Sequence, residues 1–332
     1  MSAPTFFLGV DVGGTKIAAA LGDSSGSLVA EITEPTDERG GLFVVEQIVS
    51  LSGKLKKEVQ SDDTKIRSVM VGIPGVIDPH NGKISHSPNV IGLAEIHFPQ
   101  EMKNHFGALV AFENDVNLAM LGEVAKGNAH GYGDAALLAL GTGVGLGLMV
   151  NGRLLRGNTG AAGEIAYLPV GKDVTSPNAL NIGSFELEVG SKGIVQRYNL
   201  AGTGQVVASV RDVFMLLEKG DNTAALVIDG TAQMVARAIA AVQSILDLEI
   251  IVLGGSIGIR PELVSRVQRD IGQFLARPVH IAASLLGSRA GVVGAVQGAI
   301  ILAENSNPTG FVNPLGVPQK TINQQVKEKY HV

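Results

Sequence analysis

A repeated glycine turn restricts this chain more than any other feature. Asp11-Val12-Gly13-Gly14-Thr15-Lys16 and Gly141-Thr142-Gly143-Val144-Gly145 each follow a short apolar strand and each lead into another strand. Phe6–Val12, Thr15–Leu21 and Ser27–Thr33 read as a meander of three antiparallel strands. Ala135–Leu140, Gly145–Val150 and Arg153-Leu154-Leu155 repeat it, with Asn151-Gly152 as the hairpin turn. Helical patterns follow near 42–58, 116–126 and 223–246, with further strands at Ser68–Ile73, Val110–Phe112 and Ile250–Leu253. The chain therefore reads as α/β, built from two copies of one strand-and-helix unit. Gly141 lies 130 residues after Asp11, and Gly254 lies 182 after Gly72. The difference of 52 predicts an insertion in the second copy, for which Gly157–Arg211 is the candidate.

The 332 residues suit two lobes, and a hydrophobic content of 45% is enough for a sizeable core. The absence of cysteine excludes disulfides, thiolate catalysis and Cys-ligated zinc, and fits a reducing cytoplasm. No signal-like basic and apolar regions open the chain, and no apolar run is expected to span a bilayer. A net charge of −5 without a basic stripe argues against a nucleic-acid partner.

Five motifs carry chemistry. In the first turn, Gly13 and Gly14 let backbone N–H groups close on phosphate oxygens. Thr15 can donate a hydroxyl bond, Lys16 can offset phosphate charge or simply be solvated, and Asp11 can hold a hydrated Mg²⁺. The plain alternative is an ordinary hairpin. The second turn, with Thr142 and Gly143, has the same form. Neither is a P-loop or a dinucleotide fingerprint, because each turn runs on into a strand. Two such turns at equivalent places in a repeat can grip a polyphosphate from both sides. Third, Glu113-Asn114-Asp115-Val116-Asn117 sits at a strand-to-helix junction. There Asp115 can take the proton of an attacking hydroxyl, or an Asn or Asp can cap the helix. Fourth, Arg156–Glu164 surrounds Glu164 with small residues. Fifth, Gly254-Gly255-Ser256-Ile257-Gly258 matches the nucleophile elbow of an α/β-hydrolase, with Asp270 and His280 or His331 as partners, but serves equally as a seat for adenosine.

In order, these motifs resemble the ROK family of repressors and sugar kinases, within the actin-like ATPase (ribonuclease H-like) superfamily. The likeness runs from Leu8 to about Leu302. It implies two duplicated domains around a central cleft, a sugar substrate, ATP with Mg²⁺, and a homodimer. It makes Asp115 the general base and places Gly75, Asn89, Asn114, Asp115, Glu164, Tyr167 and Glu186 at the sugar, with Glu188 a rival for Glu186. The phosphates would lie between Gly13-Gly14-Thr15 and Thr142-Gly143, and adenosine near Gly254-Gly255. The expected lobes are 1–115 with about 290–305, and 116–289 with the insertion at 157–211, followed by a polar tail at 306–332. One departure stands out. Where most bacterial members carry a histidine that touches sugar and zinc, this chain has Tyr167, and the stretch up to Glu186 has neither Cys nor His, so no zinc site is expected. The alternative function is a non-catalytic sugar sensor.

Overall fold

The structure is a computed structural model that describes residues 4–59, 65–78, 84–85, 90, 92, 96–171, 174–202 and 206–304. Asn89 and the 306–332 tail lie outside the described residues.

The first half runs β1 (Thr5–Val12), β2 (Lys16–Gly22), β3 (Leu28–Pro35), α1 (Gly41–Glu58), β4 (Lys65–Ile73), β5 (Val76–Ile77), β6 (Ile84–Ser85), α2 (Phe98–Phe106), β7 (Leu109–Asn114) and α3 (Asp115–Lys126). The second runs β8 (Ala135–Leu140), β9 (Val144–Val150), β10 (Arg153–Leu154), α4 (Pro177–Ile182), α5 (Ser184–Val189), α6 (Ser191–Leu200), α7 (Val210–Glu218), α8 (Asn222–Leu246), β11 (Ile250–Gly254), α9 (Gly255–Gly258), α10 (Pro261–Asp270), β12 (Ile281–Ala283) and α11 (Ala290–Glu304). The sheets are ordered β3-β2-β1-β4-β7 and β10-β9-β8-β11-β12, so the expected duplication holds strand for strand. In both, the first strand of the meander pairs in parallel with a later strand, β1 with β4 and β8 with β11.

The register corrects the expected offset. Asp11 pairs with Gly72, and Ala139 pairs with Gly254. Ala139, 128 residues after Asp11, is therefore its counterpart, in place of Gly141 at 130. The three-residue turns Gly13-Gly14-Thr15 and Gly141-Thr142-Gly143 now superpose, and the second copy has an alanine where the first has its carboxylate. The glycine pattern alone sets an acid against a glycine, whereas strand pairing fixes equivalence. Between β10 and β11 lie α4 to α8, where the described first half has α1 alone between β3 and β4.

The chain separates into two compact units. One comprises the described residues up to Gly133, Gly147–Ala162 and those from Ser288 onward; the other comprises Asp134–Leu146 and Gly163–Gly287. In the first unit, β1 is buried on both faces. Leu8, Val10 and Val12 point into a core shared with Val44, Ile48, Leu51 and Leu55 of α1 and with Phe98 and Met102 of α2. The alternate residues Gly9 and Asp11 face α11, whose residues are almost all buried. In the second unit, α8 meets the expectation of no bilayer-length segment with an exception, since by length and composition alone it is long and apolar enough to cross one. Half of that stretch is buried, with Val227, Ile228, Thr231, Val235 and Ile239 turned inward at helical spacing, and Asp229 pairs with Arg266 and Arg269. These features describe the central helix of a folded domain.

Candidate active site

In the first unit the glycine turn is tied from behind. Gly13 N–H donates to Lys16 O at 2.9 Å, Thr36 Oγ1 donates to Gly13 O at 2.7 Å, and Thr36 N–H donates to Thr15 O at 3.2 Å. This leaves Gly14, Thr15 and Lys16 exposed on a fixed frame. Asp11, the penultimate residue of β1, lies against Gly291, at the start of α11, where a methyl group would overlap the carboxylate. Burial pushes the Asp11 carboxyl from its ordinary 3.8 up to about 6, and Lys16 draws it part of the way back. Among the described residues no three His, Cys, Asp or Glu side chains converge. A cation at Asp11 would thus complete its shell with water and phosphate oxygens, which suits Mg²⁺.

The raised carboxyl gives a pH signature. The folded chain holds this proton more tightly than the unfolded chain between about pH 4 and 6. Stability is therefore full below that window and falls as pH rises through it. Asp11→Asn removes the penalty. Without added cation, thermal melts should match wild type at pH 4 and show the variant more stable at pH 7 by about 3 kcal/mol. Equal melting at pH 7 would rule out a strained carboxylate.

The β7–α3 junction separates two roles that the sequence left merged. Asn114, with extended backbone, is the N-cap, and its Oδ1 accepts from Val116 N–H at 2.9 Å and Asn117 N–H at 3.1 Å. Its Nδ2 donates to Gly75 O at 3.0 Å. Asp115 is the first helical residue, half-buried, with Oδ1 accepting from Val116 N–H at 2.8 Å. Beneath them Glu113 is buried and bonded to Arg156.

In the second unit, Gly141 N–H donates to Gly143 O at 3.0 Å, and Ser191 N–H, at the start of α6, donates to Gly141 O at 2.9 Å. Glu186 Oε2 accepts from Val144 N–H at 2.8 Å and lies so close to Gly143 that a methyl there would sit 2.9 Å from it. Burial raises the Glu186 carboxyl, Val144 lowers it, and the nearby charge of Glu164 raises it again. Glu188 lies 3.9 Å from Arg197 Nε, so Glu186 is the glutamate that reaches the turn. Glu164 is exposed. Tyr167 is also exposed, and its hydroxyl donates to Asn181 O at 3.1 Å, which braces α4 and leaves the oxygen's lone pairs for a ligand. Gly254 ends β11, and Gly255, at φ 75°, passes close under Leu140, where a side chain would collide with backbone. Ser256 lies beside Gly141. The hydrolase reading loses its acid here, because both oxygens of Asp270 accept from Arg269, at 2.7 and 2.9 Å.

This order of turns, junction and loops, on two sheets of one topology, agrees with a profile of the ROK family that matches residues 7–306. The chain belongs to the ROK family. It is 29% identical over 308 residues to a glucokinase of Halalkalibacterium halodurans, covering 87% of this chain and 93% of that one. It is similar to the crystal structure of a ROK hexokinase from Thermus thermophilus, with 26% identity, TM-score 0.80, and coverage of 91% of this chain and all of that one. A ROK glucokinase from Streptomyces griseus in complex with glucose and AMPPNP shares the fold at TM-score 0.73 and 23% identity, over 88% of this chain and 98% of that one.

Within this ROK chain the structure brings Gly75, Asn114 and Asp115 to one junction, and Thr142, Gly143 and Glu186 to one turn. Sequence reasoning gave no role to Thr36, Arg156 or Lys192. Lys192, in the first turn of α6, acts on Glu186 through its charge. Thr36 and Lys192 stand outside any motif. Arg156 was within one, and its partner Glu113 within another, but nothing local links them.

Proposed function

We propose that this protein transfers the γ-phosphoryl group of ATP to a hydroxyl of a hexose-type sugar. The observation that carries the reading is the β7–α3 junction. Asn114 does the capping, which places the Asp115 carboxylate at the helix start as the proton acceptor, in a chain with two equivalent glycine turns. In the reaction a sugar hydroxyl attacks the γ-phosphorus. Its proton passes to Asp115, the new P–O bond forms, and the bond to the β-phosphate oxygen breaks as ADP leaves with the electron pair. The N–H groups of both turns, the Thr15 hydroxyl and Lys16 bind the phosphates, and Gly254-Gly255 seats the adenosine. Mg²⁺, held through water at Asp11, would offset the phosphate charge. Glu164 and Glu186 accept hydrogen bonds from sugar hydroxyls, Asn114 can donate its second amide hydrogen, and Tyr167 accepts. With aromatics at only 4%, sugar recognition rests on such bonds more than on ring stacking. A cytoplasmic homodimer belongs to the same proposal. The names of the glucokinase and hexokinase relatives support the reaction class and make glucose the first sugar to try.

The test is ADP release from Mg·ATP across a panel of hexoses and N-acetylhexosamines, beside Asp115→Ala. Sugar-dependent turnover that vanishes in the variant is expected. Sugar binding by thermal shift without turnover on any sugar would replace the kinase with a sensor.

A further inference from the structure

The mechanism above leaves one buried charged pair unused. Glu113, 5% exposed, is the penultimate residue of β7, two before Asp115. Its two carboxylate oxygens serve different masters. Oε1 accepts from Asn114 N–H at 3.0 Å and Asn117 Nδ2 at 2.9 Å, one residue before Asp115 and two after it. Oε2 accepts from Arg156 Nε at 2.7 Å and is paired with Arg156 Nη2. The guanidinium thus anchors one carboxylate oxygen through Nε and Nη2, while the other oxygen holds both flanks of the turn that carries Asp115. Arg156 also acts through its backbone. Its carbonyl accepts from Ala162 N–H at 3.0 Å and closes the loop that leads, two residues later, into Glu164.

A buried ion pair is a weak way to gain stability, because apolar residues of similar volume often serve as well. Its value lies in direction. We propose that Glu113 and Arg156 form a positioning pair that sets the angle of the Asp115 carboxylate for proton removal and anchors the 156–162 loop. The pair touches neither phosphate nor sugar in this scheme, and its catalytic effect rests on the kinase reading above.

The test uses Arg156→Met, Arg156→Lys, Glu113→Gln and the double variant Glu113→Gln/Arg156→Met in the full chain. All are assayed at 25 °C after near-ultraviolet circular dichroism shows that each is folded. Arg156→Met should lower kcat about a hundredfold, the loss that misplacing a catalytic group by about 1 Å brings. KM for ATP should change less than threefold. Arg156→Lys, which keeps the charge but not the two guanidinium nitrogens on Oε2, should recover only part of the loss. The double variant should be no slower than Arg156→Met alone, because each single change already breaks the pair. A folded Arg156→Met with wild-type kcat would overturn the proposal and leave the pair a strut. Full recovery by Arg156→Lys would equally remove the directional role.

Hydrogen exchange separates failure of the pair from failure of the kinase reading. In Arg156→Met the amides of Val116 and Asn117 should exchange at least tenfold faster, with α8 amides unchanged as a control. If wild type proves inactive on every sugar, unchanged exchange at Val116 and Asn117 still refutes the positioning role. Should Arg156→Met not fold, Glu113→Gln and Arg156→Lys carry the same comparisons in milder form.

Discussion

Asp115→Asn is expected to lower kcat about a thousandfold while the melting temperature and the KM for sugar stay near wild type. Stability should hold because the helix start does not depend on the charge. Asn114 caps α3, and the bond that Asp115 Oδ1 accepts from Val116 N–H can be accepted by an amide oxygen as well. A carboxylate in the first turn of a helix contributes only about 0.3–1 kcal/mol through the helix dipole. Catalysis should not hold, because an amide cannot take a proton from a sugar hydroxyl at neutral pH. Single-turnover ADP formation is the measurement, since it isolates the chemical step from product release. A variant retaining more than a tenth of the wild-type rate would show that the base lies elsewhere. Asn114→Ala should behave in the opposite way, with stability falling by about 1 kcal/mol through loss of the cap and a smaller effect on the chemical step.

That the two neighbours divide these roles could not be read from Glu113-Asn114-Asp115, because Asn and Asp are both good caps. Strand register decides between them. β7 stays paired with β4 through Asn114 opposite Ile73, which leaves Asn114 extended and makes Asp115 the first helical residue. The strands themselves were legible. Short apolar runs bounded by glycine or Asp-Ser turns predict β1, β2, β4 and β8 to within three residues at either end. The same holds for α1, α3 and α8, whose boundaries carry caps and turns. What was not legible depends on partners distant in the chain. Glu113 and Arg156 are 43 residues apart, and Glu186 meets Val144 across 42. The choice of Glu186 over Glu188 follows from the short helix α5, which turns one toward Gly143 and the other toward Arg197. Within the insertion, α4 to α6 are helices of ten residues or fewer, too brief for a periodic signal to emerge. Tyr167 illustrates the same limit. The sequence reveals the exchange for histidine, but the bond to Asn181 depends on where α4 lies.

Gly294→Ala is expected to be the most destabilising single methyl in the first unit, lowering the melting temperature by about 10 °C or preventing folding. The methyl would overlap the carbonyl of Leu118 and lie 2.6 Å from its carbonyl carbon and 2.8 Å from Gly122 N. Those are backbone atoms of α3, so no side chain can swing aside. Gly122 makes the reciprocal approach, its own Cβ position overlapping the Ala290 carbonyl. The two helices are therefore in backbone contact along a seam of glycines, and the added atom must push them apart. α11 cannot retreat, because Gly9 of β1 meets Val296 on its other side and Gly298 meets Met70 of β4. Alanine favours a helix over glycine by about 1 kcal/mol, a gain that overpacking of about 3 kcal/mol or more outweighs. Gly53→Ala in α1, where nothing lies within 4 Å of the new methyl, isolates the first term and should raise the melting temperature. Opposite signs for one substitution at two helical glycines would locate the effect in the seam. A Gly294→Ala chain that melts at or above wild type would mean that α11 is not seated against α3 as described. Because Gly291 of the same helix lies against the Asp11 carboxylate, any folded fraction of Gly294→Ala should also bind Mg·ATP more weakly. The seam thus ties the stability of the unit to the geometry of its glycine turn.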